Sequence, residues 1–162
     1  MLSEAWTEVD YRQAWDPFYD RFDFRASFYP KNWPAIAEPA GSVTLDLAGI
    51  FQPDQFVRGS TRVDEVVLAS FLRVYPEETV LLALDWQHPA YQFRPHRLGG
   101  ASEWLDSPFS PFPDGDYYIF LTEDMSRGTF GHPWEQTLCV WGDDLVRDLV
   151  PELDLPVKRA QR

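Results

Sequence analysis

Three histidines stand in the chain, and each adjoins a proline: His88-Pro89, Pro95-His96 and His132-Pro133. Two of them lie three positions from a carboxylate, in Asp85-Trp86-Gln87-His88 and in His132-Pro133-Trp134-Glu135. If those two stretches meet, Asp85, His88, His132 and Glu135 supply a pair of imidazoles and a pair of carboxylates. That donor set suits Zn²⁺, Mn²⁺ or Fe²⁺, with one carboxylate left over as a base. It would equally serve general acid–base chemistry, because an imidazole beside a carboxylate titrates near neutrality. A divalent metal fits the set without being required by it. On a regular strand, positions i and i+3 face opposite ways, so each pair needs a turn or bulge, which the neighbouring prolines favour. The competing reading has each histidine bonding a neighbouring strand and ordering its own loop, since no motif fixes the spacing between the two halves.

Other chemistries find less support. Gly128-Thr129-Phe130-Gly131 lacks the lysine and following helix of a phosphate-binding loop, and Glu123 and Asp124 beside it repel anions. Its two glycines are expected at positive φ in a wide hairpin connection. There is no Gly-x-Ser-x-Gly elbow. The one cysteine, Cys139, lies inside the apolar run Leu138–Trp141, where a buried free thiol is the default, and it rules out an internal disulfide. Trp86, Tyr91, Phe130 and Trp134 flank the same loop as Arg127, and together they are candidates for a small aromatic ligand pocket.

The elements that must position these residues are short. Tyr117–Leu121 and Leu138–Trp141 read as an antiparallel strand pair joined by a polar connection carrying Arg127, His132 and Glu135. Ahead of them, Thr79–Trp86 is apolar on both faces, as in a covered central strand, and Ala90–Arg94 continues as a second strand. Ser42–Phe51 alternates like a half-buried strand. Tyr11, Trp15, Phe18 and Phe22 share a helical face, with Pro17 dividing two short helices and Asp16 capping the second. Thr61 and Asp64 resemble a capping box opening a helix through Tyr75, which Pro76 ends. Asp143 or Asp144 caps a last short helix stopped by Pro151. Ala26–Gly41 reads as a loop pinned by its aromatics, Pro95–Gly115 as a rigid Pro-rich connection, and the basic tail 157–162 as frayed. The sum is one α+β domain over residues 1–162, a mainly antiparallel sheet with two or three helices packed on it.

Composition narrows the partners. Aromatics at 16% and hydrophobics at 44% exclude disorder and give 162 residues enough apolar surface for a real core. A net charge of -12 repels phosphate backbones, which excludes nucleic acid, and favours a basic protein or a metal ion. The first residues, MLSEAWTEVD, have no basic and then apolar leader. No apolar run reaches the roughly 20 residues of a membrane span. A cytoplasmic location with no membrane partner is therefore the expectation.

The stretches WDPFYDRFDF (Trp15–Phe24), DWQHPAYQF (Asp85–Phe93) and PDGDYYIFLTEDMSRGTFGHPWEQTLCVWG (Pro113–Gly142) resemble the bacterial domain-of-unknown-function family 2716. The resemblance covers most of the chain and is most specific around GTFGHPWEQTLCVWG. It implies a bacterial cytosolic single-domain protein and carries no reaction, cofactor or catalytic residue. Three functions remain open. One is an acidic protein-binding module holding a basic partner, as an immunity protein holds a toxin. Another is a metal-assisted or acid–base hydrolase or lyase at the His/carboxylate edges. The third is a small-ligand domain with an aromatic pocket.

Overall fold

A computed structural model describes residues 3–99, 104 and 106–162. Eight strands, β1 (Trp6–Val9), β2 (Val43–Asp46), β3 (Leu81–Asp85), β4 (Ala90–Phe93), β5 (Tyr118–Thr122), β6 (Gly128–His132), β7 (Thr137–Trp141) and β8 (Val157–Ala160), form one sheet in the order β1-β4-β3-β5-β6-β7-β2-β8. Every pairing is antiparallel. Among the described residues three α-helices, α1 (Tyr11–Phe22), α2 (Phe56–Val74) and α3 (Asp143–Leu153), cover it. The fold is therefore a single-domain α+β sheet with helices on both faces.

Strand alternation sorts the core into two halves. Leu81, Ala83, Phe120, Leu138 and Val140 point to the α2/α3 side, where Val63, Val67, Phe71, Leu145, Leu149 and Leu153 meet them. Leu84, Ile119, Leu121, Cys139 and Trp141 point the other way, to Trp15, Phe18 and Phe22 of α1. α2 and α3 are locked by Arg73, whose Nη2 lies 2.8 Å from Asp148 Oδ1, and by Arg62, which donates to the terminal carbonyls of Glu152 and Leu153.

The runs around Tyr117–Leu121 and Leu138–Trp141 do become strands, but they do not pair. The supposed connection between them supplies β6, which sits between β5 and β7 and is buried at every residue. Its glycines explain why: they serve close approach rather than positive φ. A Cβ on Gly128 would stand 2.5 Å from the Phe120 carbonyl oxygen, and one on Gly131 would stand 2.9 Å from that of Pro111. Positive-φ glycines among the described residues are Gly41 and Gly142.

Several other boundaries differ. α1 is one helix through Pro17, capped by Asp10, whose carboxylate accepts from the Gln13 N–H at 2.9 Å, so Asp16 caps nothing. A proline removes one helical N–H bond but leaves the rest, and the buried aromatic stripe on both sides of it holds the turns together. α2 begins at Phe56, leaving Thr61 and Asp64 inside it. Asp64 instead accepts from the Phe112 N–H (2.8 Å) and the Ser110 hydroxyl (2.6 Å), fixing the Pro-rich connection to the helix. α3 runs past Pro151 to Leu153 because Leu149 and Leu153 are anchored in the core. Pro76 does end α2, with Tyr75 as its extended C-cap. The half-buried strand shortens to Val43–Asp46. β1 is an unforeseen edge strand on β4, and the tail 157–162 is not frayed but carries β8, the edge strand on β2. Within 95–115, residues 100–103 and 105 lie outside the described ones.

Candidate functional site

The site residues gather at one end of the sheet, where the β3–β4 turn, the start of β5 and the β6–β7 turn lie side by side. Asp85 pairs with Tyr118 and Tyr118 with Gly131, so the three neighbouring strands bring their ends level. Alternation then divides the four candidates. Asp85 follows Leu81 and Ala83, whereas His132 follows Phe130 on the α1 side of the sheet. Two separate clusters result.

The first cluster is closed. His132 is fully buried among the rings of Trp33, Tyr117, Phe130 and Trp134, with the Trp33 and Tyr117 centroids 5.4 and 4.9 Å away. Its Nδ1 accepts the Glu135 N–H at 3.0 Å, so the tautomer carries its proton on Nε2. Burial pushes its pKa down to about 4, keeping the ring neutral. The Glu135 carboxylate points elsewhere. Arg159 Nη1 and Nη2 donate to its two oxygens at 2.7 and 2.9 Å, and the Thr137 hydroxyl adds a bond of 2.9 Å. The same guanidinium reaches Glu38 through Nε and Nη2, both at 3.0 Å. Burial opposes ionisation of both glutamates, but the Arg159 hydrogen bonds outweigh it and hold both below the usual carboxylate range. Arg159 itself is held upward by the two carboxylates.

The second cluster is half open. Gln87, at φ 67°, turns the chain so that His88 folds back over Asp85. His88 Nδ1 lies 3.1 Å from Asp85 Oδ1, 3.4 Å from Asp116 Oδ2 and 3.0 Å from the Trp86 carbonyl oxygen. The Asp85 charge raises the His88 pKa. Burial, and then Asp116, push Asp85 up to about 7. Asp116 escaped the sequence reading because nothing local marks it; only the pairing of β3 with β5 puts it opposite the β3–β4 turn.

Trp86 and Trp134 do share a groove, of about 260 Å³, whose remaining walls are Ala26, Ser27, Phe28 and Tyr29. Phe28, Tyr29 and Trp134 are 60, 58 and 39% exposed. The groove wall is held in shape: the Tyr117 hydroxyl accepts the Ser27 N–H at 3.0 Å and donates to the Ser27 carbonyl at 3.1 Å, where Trp33 Nε1 also donates at 3.0 Å. The structure does not bring the other pocket candidates here. Tyr91 packs on Trp6 and Phe109, Phe130 is core, and Arg127 pairs with Asp144 at 3.2 Å beside the Tyr75 ring. The third histidine, His96, bonds the Tyr75 carbonyl at the end of α2, a structural place.

The family described as "Protein of unknown function (DUF2716)" matches residues 5–146. The chain belongs to that family. A Bacillus subtilis (strain 168) protein, the uncharacterised YxiI, is 39% identical over 80 residues, which make up 49% of each chain. The match thus spans about half the length of that curated relative. No solved structure matches. For this family member, then, the arrangement at the sheet end has to be read from its own residues. Among the described residues no helix is long and apolar enough to cross a membrane.

Proposed function

We propose that this family member is a small acidic binding module of the bacterial cytoplasm that captures a basic protein, as an immunity protein captures a toxin. The observation that carries the reading is the exposed aromatic groove of Phe28, Tyr29, Trp86 and Trp134. Exposed rings on a pre-shaped wall are what interface hot spots use, because little entropy is lost on docking. The groove is smaller than the roughly 300–1,000 Å³ of small-molecule pockets, which suits one or two side chains of a partner. The charge of -12 supplies steering for a basic surface. A larger cleft of about 490 Å³ within residues 23–37 exposes Arg25 and Lys31 and suits such a partner less.

Catalysis at His132 and Glu135 has less support. His132 has no exposed surface, and both Glu135 oxygens are taken by Arg159. The test is capture from native lysate at low and high salt, run beside a Phe28→Ser/Tyr29→Ser variant. A stoichiometric basic protein, lost as salt rises and absent from the variant, is expected. A partner retained by the variant, or held equally at high salt, would sink the reading. Tryptophan fluorescence that changes only with small aromatic ligands would move the assignment to a ligand pocket.

A further inference from the structure

The cluster at the β3–β4 turn has the chemistry and spacing of a cation site. Asp85, His88 and Asp116 each offer one ligand atom, and the three atoms lie within 4.8 Å of one another. Around a tetrahedral or octahedral ion with bonds of about 2.0–2.2 Å, neighbouring donors stand roughly 3.0–3.5 Å apart. The two edges that meet at His88 Nδ1, 3.1 and 3.4 Å, have that length. Asp85 Oδ1 is sealed from solvent and accepts no hydrogen bond of good geometry; His88 Nδ1 bonds the Trp86 carbonyl oxygen instead, and to ligate an ion it gives up that contact and its proton, the neutral ring keeping its proton on Nε2. A buried carboxylate oxygen without a donor is costly, and a second carboxylate facing it adds repulsion. Both costs are relieved by a cation placed between the two aspartates.

We infer that Asp85, His88 and Asp116 form a binding site for one divalent first-row transition ion, of the Zn²⁺ or Mn²⁺ type. One imidazole nitrogen with two carboxylate oxygens is a donor set for such ions, and it discriminates against Ca²⁺, which takes oxygens alone. The fold supplies each donor separately: the β3 end gives Asp85, the left-handed Gln87 returns His88, and the start of β5 gives Asp116. Three protein donors leave coordination positions for water, and His88, 59% exposed, forms the solvent side. His132 and Glu135 are no part of the site: Arg159 takes both Glu135 oxygens, and His132 is buried on the other face of the sheet. The inference stands apart from the groove reading, whose aromatic walls donate nothing to the ion.

The test is titration of the full chain, first freed of metal with a chelator, with ZnCl₂ and with MnCl₂ by calorimetry, and metal counting after dialysis. One ion per chain is expected. Asp116→Asn and His88→Ala should each weaken uptake by about 10-fold or more, while Phe28→Ser/Tyr29→Ser leaves it unchanged. The exposed His88 ring makes His88→Ala a safe variant for the fold, and urea unfolding of each variant checks this. Co²⁺ added in place of Zn²⁺ should give visible d–d bands that Asp116→Asn removes. Absence of saturable uptake, or uptake equal in wild type and both donor variants, would overturn the inference.

Discussion

Two clusters built from the same side-chain types sit near one end of the same sheet and behave in opposite ways. Around Arg159, both glutamates are held by named partners and their lowered pKa values follow from those bonds, while His132 accepts the Glu135 N–H at Nδ1 and is kept neutral by burial, its Nε2 sealed without a partner. Around His88, an aspartate oxygen is buried without a good donor, a second carboxylate repels it, and the His88 imidazole is the group beside them that can carry positive charge. The difference teaches where to look for function. Buried carboxylates matched by a guanidinium specify the fold, whereas two carboxylates facing one imidazole at a solvent edge are poised to take something in.

That contrast breaks most visibly at Arg159. Arg159→Ala leaves Glu38 and Glu135 charged and almost fully buried, and is expected to cost about 3–5 kcal/mol in urea unfolding. A cost below about 1 kcal/mol would make the closed cluster no more structural than the open one. The histidines come next. His132→Ala removes a buried ring and the acceptor of the Glu135 N–H and should cost about 3 kcal/mol, while His88→Ala should stay within about 1 kcal/mol. Equal costs would erase the distinction. Gly128→Ala should cost about 1–3 kcal/mol, because the Phe120 carbonyl that its Cβ would meet belongs to a paired strand and has little room to retreat.

A smaller effect lies in the pH dependence. Asp85 has a folded pKa of about 7 against an ordinary 3.8, so the folded chain holds an extra proton. The stability linked to it is complete below the unfolded value and is lost as pH rises through about 7. Asp64, raised to about 7 by burial, and His88, raised by Asp85, act with the same sign. His132 acts with the opposite sign: folded at about 4 and unfolded near 6.5, it takes stability away as pH falls between those values. Asp116→Asn lowers the Asp85 pKa by removing the facing charge, so urea midpoints at pH 5, 6, 7 and 8 should fall less steeply than in wild type. Asp64 keeps part of the slope. An unchanged slope would mean that Asp116 and Asp85 do not interact. The least effect on stability, within about 0.5 kcal/mol, is expected for Phe28→Ser/Tyr29→Ser, whose rings lie on the surface; their loss should register in binding alone.

The sequence by itself determined the periodic elements: the two-sided strand at Leu81–Asp85, the helix that ends before Pro76, the aromatic stripe of α1 and the α+β class. Burial patterns with a period of two or near 3.6 are local, and they survive whatever the elements pack against. It also brought forward Asp85 with His88, and Trp86 with Trp134. Tertiary structure decided the rest. β6 reads as a loop because its glycines and polar residues carry no strand signal; it is a strand because β5 and β7 flank it, and glycine is what lets neighbouring backbone approach. The tail became β8 because Arg159 finds Glu38 and Glu135, contacts 121 and 24 residues distant in the chain. Asp116 joined the open cluster, and Glu135 left the supposed donor set, for the same reason. Which carboxylate meets which cation is settled by strand order and register, and those depend on pairings between distant segments that no local pattern encodes.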